Sequence, residues 1–407
     1  MQMIEGHKAI DAPQGVQSWD IDPYAAEHQC DRGWYAELCA RGPFVHLSRY
    51  GMLACGRYDV VREVFSDHTR FVSSRGVGLQ DFAMEKPWRP ASIVLEVDPP
   101  YHTKTRRAIQ RALSPKVVAG LRDVFADSAA SLVDDLLGRE IDGVADLAEA
   151  FPTKVFPRAV GLRLADRRKL VDYGAMVFNA LGPDNDQRRA AMAHGPEIVP
   201  WVTEQCRREN LDPGGIGAVI YESADAGDIT PEEAGMLVRS LLSAGVDTTV
   251  TALGNALWAF GTWPEQFDRL RANPDLALPA FEEVIRLTSP VAAFCRTAAT
   301  DTEVAGVPIV EGTKILCVLG AANLDTDQWG ADAAAFDVTR KTAGHLALGV
   351  GVHGCVGQTI ARAEGQAVLR ALAEKVTRVE LTGTPEWRPN NAMHALDRLP
   401  VRLVEQL

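Results

Sequence analysis

The segment 230–262 constrains this chain more than any other, because it reads as one helix with a clear start and stop. Thr230 is a good N-cap, Pro231 suits the first helical position, and Glu233 completes a capping box. The helical pattern then runs unbroken to Pro264. About 32 residues at about 1.5 Å each span roughly 48 Å. A helix of that length crosses a whole domain, so the rest of the fold must be built around it. Its middle, SAGVDTTVT (243–251), is poor helix-forming sequence, with a glycine and adjacent threonines. Weak propensity at the centre of a long buried helix marks a functional site.

The remaining sequence supplies an envelope for that helix. Further helical patterns cover 115–138, 159–182, 187–209 and 356–375. Strand-like material is limited to 44–57 and VAGVPIVEGTKILCV (304–318), where Gly306 and Gly312 mark turns. The fold class is therefore mainly α, with a small β region. There is no internal repeat, low-complexity segment or linker, so one continuous domain over 19–407 is expected, after a loose tail at 1–18. A chain of 407 residues can bury a large core and enclose a cofactor. The net charge of −12 argues against nucleic acid or an anionic membrane as the main partner. No apolar run is long enough for a signal peptide or a membrane span. Seven cysteines, an odd number without a CxxC, suggest neither a disulfide framework nor a zinc site. The expected compartment is a reducing cytoplasm.

In LALGVGVHGCVGQTIARAEGQAVL (346–369), a glycine-rich loop delivers Cys355 to the start of a helix. A thiolate there gains from free backbone N–H groups and the positive helix end. The glycines let backbone approach a flat cofactor closely. A lone cysteine is more often a core residue, but the GxGxHxCxG pattern around this one points to chemistry. Residues 349–354 also match GxGxxG, the dinucleotide fingerprint. No βαβ unit or following ribose-binding acid surrounds that match, so it is set aside.

This loop resembles the haem-binding loop of cytochromes P-450. The resemblance implies a cytochrome P-450 fold and haem b (iron protoporphyrin IX), with Cys355 as axial iron ligand. Leu348 stands where the family usually has an aromatic residue. Other motifs agree. Glu283 and Arg286 in FEEVIR form an i,i+3 pair that resembles the family's buried ExxR ion pair, with Arg340 of FDVTR as third member. DPPYHTKTRR (98–107) resembles the segment that meets the haem propionates. It implies that His102 and Arg106 bind one propionate, with Arg296 and His353 as further donors. In AGVDTT (244–249), Asp247 and Thr248 match the family's acid–alcohol pair. Thr248 would hold the oxygen-activating proton network and Asp247 would relay protons. Gly245 removes side-chain bulk beside them, which would leave room for dioxygen and water.

Within the family, SSRGVGLQDF (73–82), KPWRPAS (86–92) and VRSLLSAGVDTT (238–249) resemble bacterial enzymes that oxidise para-substituted benzoates such as 4-methoxybenzoate. The resemblance implies carboxylate contacts from Arg89, Ser92 and Ser240, with Arg239 supplying nearby positive charge. Ser240, Ala244 and Thr248 are spaced i, i+4, i+8, so on a continuous helix they share one face. Ser240 then lies about 12 Å along the axis from Thr248, a span that suits a benzoate with one para substituent. Leu95, Val177, Phe178, Leu181, Val291 and Phe294 are the apolar wall candidates. Leu181 and Val199 depart from the aromatic and the glutamine expected in that group.

The expected partners are a small aromatic carboxylic acid, O2, and a [2Fe–2S] ferredoxin with its reductase. Arg106, Arg107, Arg111, Lys116 and Arg362 would offer positive charge to an acidic ferredoxin. Two rival readings keep the haem: a peroxygenase using hydrogen peroxide directly, and a ligand sensor or carrier without turnover. The Asp247–Thr248 pair argues against the first. Nothing here resembles a signalling domain, which argues against the second.

Overall fold

The computed structural model describes the chain apart from residues 1, 2, 5, 164, 165, 167, 406 and 407. The helices that shape its interior are α1 (Tyr101–Ala112), α2 (Arg122–Leu136), α3 (Arg168–Asn179) and α4 (Pro231–Ala244). They are followed by α5 (Asp247–Thr262), α6 (Ala277–Thr288) and α7 (Gln358–Lys375). The expected single helix over 230–262 is therefore two helices, α4 and α5, broken at Gly245 and Val246. Its start is as read: the Thr230 side chain and Glu233 form a reciprocal capping box.

The break has a local cause. Thr248 donates its hydroxyl to the Ala244 carbonyl at 2.7 Å, and Thr249 reaches the Gly245 carbonyl at 3.5 Å. Hydroxyls thus compete with amides for the carbonyls of the preceding turn. The Phe156 ring occupies the position where any Cβ on residue 245 would lie. Gly245 therefore admits a core aromatic, and the space expected beside it for dioxygen and water is filled on that side. Past the break, α5 is buried almost all round, with Val250, Leu253, Leu257 and Phe260 in the main core.

Other helical stretches are also shorter than their patterns. The 159–182 pattern spans the end of a helix at Ala150–Val160, a left-handed Gly161 and then α3. The 115–138 pattern divides into Pro115–Ala119 and α2. The 187–209 pattern divides into Asp186–Met192, Gly195–Gln205 and a short turn at Arg208–Asn210.

A mixed sheet stands beside the helices. Its strands are β1 (Ser18–Trp19), β2 (Val45–Leu47), β3 (Met52–Cys55), β4 (Phe71–Val72), β5 (Ala293–Ala298) and β6 (Lys314–Val318). Their spatial order is β1-β2-β3-β6-β5-β4. Gly306 and Gly312 turn the chain with positive φ, as expected. Of residues 1–18, expected as a loose tail, His7, Ile10 and Ser18 bond to this sheet or to its β2–β3 turn. Buried His7 donates Nε2–H to the Tyr50 carbonyl at 2.9 Å, and the Ile10 amide bonds to the Gly51 carbonyl.

Beneath the sheet and α7, Glu283 and Arg286 form a doubly bonded pair at 2.6 and 2.9 Å, both fully buried. Arg340 adds a third bond to Glu283 at 3.1 Å. Arg286 also donates to the Asn323 carbonyl, and Asn323 Oδ1 receives the Leu346 amide at the head of the cysteine loop. The triad thus ties α6 to that loop. Removing one member would strand a buried charge, at a cost of about 3–5 kcal/mol.

Candidate active site

The cysteine loop is shaped by its own backbone. Gly349 and Gly351 have φ of +66° and +72°, conformations that favour glycine. The Cys355 amide donates to the Leu348 carbonyl at 2.7 Å, closing the loop. The thiol sits just before α7, where the Gly357 and Gln358 amides hydrogen-bond to the sulfur. Burial pushes the thiol above its ordinary range, while these amides, Arg106 and Arg362 pull it down. A coordinated metal ion reverses that balance and holds a thiolate outright.

The sulfur opens into a large, mainly apolar cavity with an empty volume of about 1460 Å³, mouth included. The expected residues fall around it in zones. Cys355, Leu348 and Gly349 form one end; Arg106, Arg296 and His353 form its rim. Ala244 and Thr248 contribute from the α4–α5 break. Leu95, Val177, Phe178, Leu181, Val291 and Phe294 line the walls, and Arg89, Ser92 and Ser240 meet at the other end. Three expected site residues lie off this cavity: His102, Asp247 and Arg239.

Around the rim, buried donors lack acceptors. Arg296 is 2% exposed, lies over the Phe65 ring, and donates only to the Cys295 carbonyl among the bonds seen. No carboxylate pairs with it among the described residues. Arg106 donates Nη2–H to the Gly354 carbonyl at 2.6 Å, and its buried Nε has no partner. His102 is buried against the His353 ring, with Nε2 unpartnered. Burial, with the charge of Arg106 nearby, lowers His102 to about 4, so its ring is a neutral donor. Two guanidiniums and His353 on the rim, with His102 packed behind His353, are what a buried pair of carboxylates requires. The thiol, the glycine backbone and this rim together fit a haem with its propionates. Asp98, which sequence reading passed over, holds His353 Nε2 at 3.4 Å and takes the Ser73 and Ser74 amides.

The opposite end differs from expectation. Arg89 is paired with buried Glu96 at 2.9 Å, and Glu96 also accepts the Ser92 amide at 2.6 Å. Ser92 and Ser240 hydroxyls lie 3.2 Å apart, and Ser240 also donates to the Met236 carbonyl. Arg239 donates to the Pro90 carbonyl at 2.9 Å and has no carboxylate partner among the described residues. Neither Glu96 nor this pairing had a signal in sequence, since a single Glu seven residues from an Arg is ordinary.

Asp247 points elsewhere. It is 1% exposed, and its Oδ1 accepts from Arg388 Nη2 at 3.3 Å. Burial pushes its carboxyl above the ordinary range, with Arg388 opposing. Thr248 alone of the pair faces the main cavity. Its proton is committed to the Ala244 carbonyl, so it presents lone pairs there.

Comparisons with known proteins agree with this geometry. The Cytochrome P450 family model matches residues 205–395. The chain is 48% identical to cytochrome p450 CYP199A2 of Rhodopseudomonas palustris, over 96% of this chain and 95% of that one. It is 33% identical to the cytochrome P450 monooxygenase PikC of Streptomyces venezuelae, over 95% and 92%. The solved structure of CYP109Q5 from Chondromyces apiculatus superposes with a TM-score of 0.79 at 28% identity, covering 95% of this chain and 99% of that one. A thiol before a helix at the end of a large cavity, a rim of anion-seeking donors and near-complete alignment to these relatives lead to one conclusion: the chain belongs to the cytochrome P450 family, as a haem b monooxygenase.

Proposed function

We propose that this monooxygenase oxidises small para-substituted aromatic acids, 4-methoxybenzoate among them, with electrons from a [2Fe–2S] ferredoxin in the cytoplasm. The observation that carries this reading is the polarity of the main cavity. It is apolar along its walls, with Arg89 and the paired hydroxyls of Ser92 and Ser240 grouped at the end away from Cys355. An ionised carboxylate entering an apolar cavity loses solvation and needs such partners. Arg89 Nε is buried without a partner, and each serine hydroxyl can turn from its neighbour to a carboxylate oxygen. Arg239 adds uncompensated positive charge behind them.

With its acid group held there, the ring lies between Val177, Phe178, Val291 and Phe294, and its para substituent is directed toward Cys355. The haem supplies oxygen insertion into a C–H bond. For 4-methoxybenzoate, hydroxylation of the methyl carbon gives a hemiacetal that collapses to 4-hydroxybenzoate and formaldehyde. Orientation by the cavity, not intrinsic reactivity, then sets the site of oxidation. Thr248 accepts a hydrogen bond on the cavity side, and Asp247 behind it supplies protons. Among the described residues no helix is long and apolar enough to cross a membrane, which is compatible with this setting.

The test is a titration of the haem absorbance with 4-methoxybenzoate, its methyl ester and its meta isomer. The acid is expected to bind tightly and shift the spectrum, while ester and meta isomer bind much more weakly. Equal affinity for acid and ester would refute the carboxylate anchor and leave the haem assignment standing.

A further inference from the structure

A second, smaller cavity lies on another face of α5. Asp247, Val250, Thr251 and Gly254 line it, at i, i+3, i+4 and i+7, while Thr248 and Ala252 face the main cavity. Helix α5 is thus the partition between the two. Glu149, at the end of the π-helical stretch Gly143–Glu149, and Arg388, on the strand Glu386–Arg388, close the small cavity. It offers about 20 Å³ to the centre of a water molecule, enough for one.

Three polar atoms at this cavity are buried without a hydrogen-bond partner: Asp247 Oδ2, Thr251 Oγ1 and Arg388 Nε. Asp247 and Thr251 are 1% and 3% exposed. Three unsatisfied polar groups around a water-sized space are the signature of an ordered internal water. Glu149 is only half-buried and the Arg388 side chain is 30% exposed, so the cavity has a solvent side.

We infer that this cavity holds a water through which Asp247 regains its proton from solvent, with Glu149 as the outer proton donor. Thr251 and Arg388 are positioning residues that hold the water. The inference rests on the reading of Asp247 as proton supplier given above. The step moves only a proton. Glu149 gives its carboxyl proton to the water, the water passes one to the Asp247 carboxylate, and Glu149 is reprotonated by bulk solvent.

The charges facing the pair favour this. Burial raises Glu149 and Asp247 alike above the ordinary carboxylate range. Asp172 of α3 raises Glu149 further, while Arg168 of α3 and Arg388 lower it. Both carboxyls therefore stay protonated to higher pH than exposed ones, and proton supply fails as pH rises through their raised values.

Two measurements on the haem-loaded enzyme test this. A high-resolution crystal structure is expected to show a water within hydrogen-bond distance of Asp247 Oδ2 and Thr251 Oγ1; an empty cavity would overturn the inference. Glu149→Gln is expected to lower kcat about three- to tenfold with KM unchanged, to flatten the alkaline limb of the kcat profile, and to remove one titrating carboxyl band from the infrared spectrum. Glu149→Asp should restore part of the limb and the band, which a structural role would not. If Asp247→Asn slows turnover while Glu149→Gln keeps the native pH limb and infrared titration, the Glu149 route is wrong and the Asp247 role stands. If Asp247→Asn itself leaves turnover unchanged, the underlying proton-supply reading fails.

Discussion

The two charged ends of the main cavity are built on opposite principles. At the Cys355 end, no carboxylate forms an ion pair with Arg296, Arg106 or His102 among the described residues, and Arg106 Nε and His102 Nε2 are buried without a partner. At the other end, Arg89 already holds Glu96, and Ser92 and Ser240 hold each other. A buried cation without a partner is costly, so the first end suits an anion that stays for the life of the fold. At the second end the Arg89 charge is neutralised from within by Glu96, while Arg239 behind it keeps its charge. This end suits an anion that arrives and leaves each turnover, because the pairs it loosens on arrival re-form on departure. Haem retention and substrate affinity are therefore separate energetic problems in one cavity.

The largest effect expected from breaking this contrast is at the first end. Cys355→Ser should abolish monooxygenase turnover and the thiolate-type spectrum of the ferrous–CO complex, because the oxygen that replaces sulfur is a poor electron donor to iron. A spectrum identical to the native one would contradict the ligand assignment. Arg296→Met, which removes an unanswered guanidinium and keeps its bulk, should leave the fold intact yet speed haem loss to apomyoglobin. Haem release at the native rate would show that the rim is not the anchor.

The second end gives the next largest effect, and a sharper test than a single substitution. Arg89→Ala should raise the dissociation constant for 4-methoxybenzoate by roughly tenfold or more, as expected for losing a charged hydrogen bond of about 1.5–3 kcal/mol. Part of that loss comes from leaving the Glu96 carboxylate unpaired beside the substrate. Glu96→Gln alone should therefore tighten binding several-fold by freeing the Arg89 charge. In the Glu96→Gln background, Arg89→Ala should show a different cost than in the native protein, the mark of coupled sites. Additive effects in this cycle would mean that Glu96 plays no part in anion affinity.

The contrast also explains what could be read from sequence. The Cys355 end was legible because its geometry is local: the glycines, the histidine and the cysteine lie within nine residues, 349–357, and their spacing alone implies a loop closing on a helix. The ExxR pair, an i,i+3 contact on α6 that by itself reads as surface decoration, was legible as a buried pair only through the family resemblance. Arg239 and Asp247 were placed near the right regions, yet they face away from the main cavity. Asp247 turns away with the break at Gly245 and Val246, where threonine hydroxyls take carbonyls of the preceding turn and the ring of Phe156, far away in sequence, packs against Gly245. Propensity marked 243–251 as weak without saying that it would part. Glu96, Asp98 and Arg388 went unread because their roles exist only through partners brought in by tertiary packing.

The smallest expected effect concerns the outer surface on the Cys355 side, where charges are exposed and screened by salt. Arg111 and Arg362, expected as ferredoxin contacts, are engaged within the protein: Arg111 with Asp228 at 3.0 Å, and Arg362 with Glu282 at 2.5 Å. Reversing either would break an internal pair as well as a docking charge. Arg107 and Lys116 are exposed, and no salt bridge engages them among the described residues. They are the better probes of an acidic partner on a protein whose net charge is −12. Exposed charges act chiefly on the association rate, by steering. Arg107→Glu and Lys116→Glu should each slow association with a [2Fe–2S] ferredoxin by about two- to fivefold at low ionic strength, leaving kcat at saturating ferredoxin near native. The difference should vanish as salt is raised and the Debye length falls to about 3 Å near 1 M. Stopped-flow reduction across an ionic-strength series measures this directly. A slowing that persists at high salt would mean that the substitutions disturb the fold, and no slowing at low salt would place the docking face elsewhere.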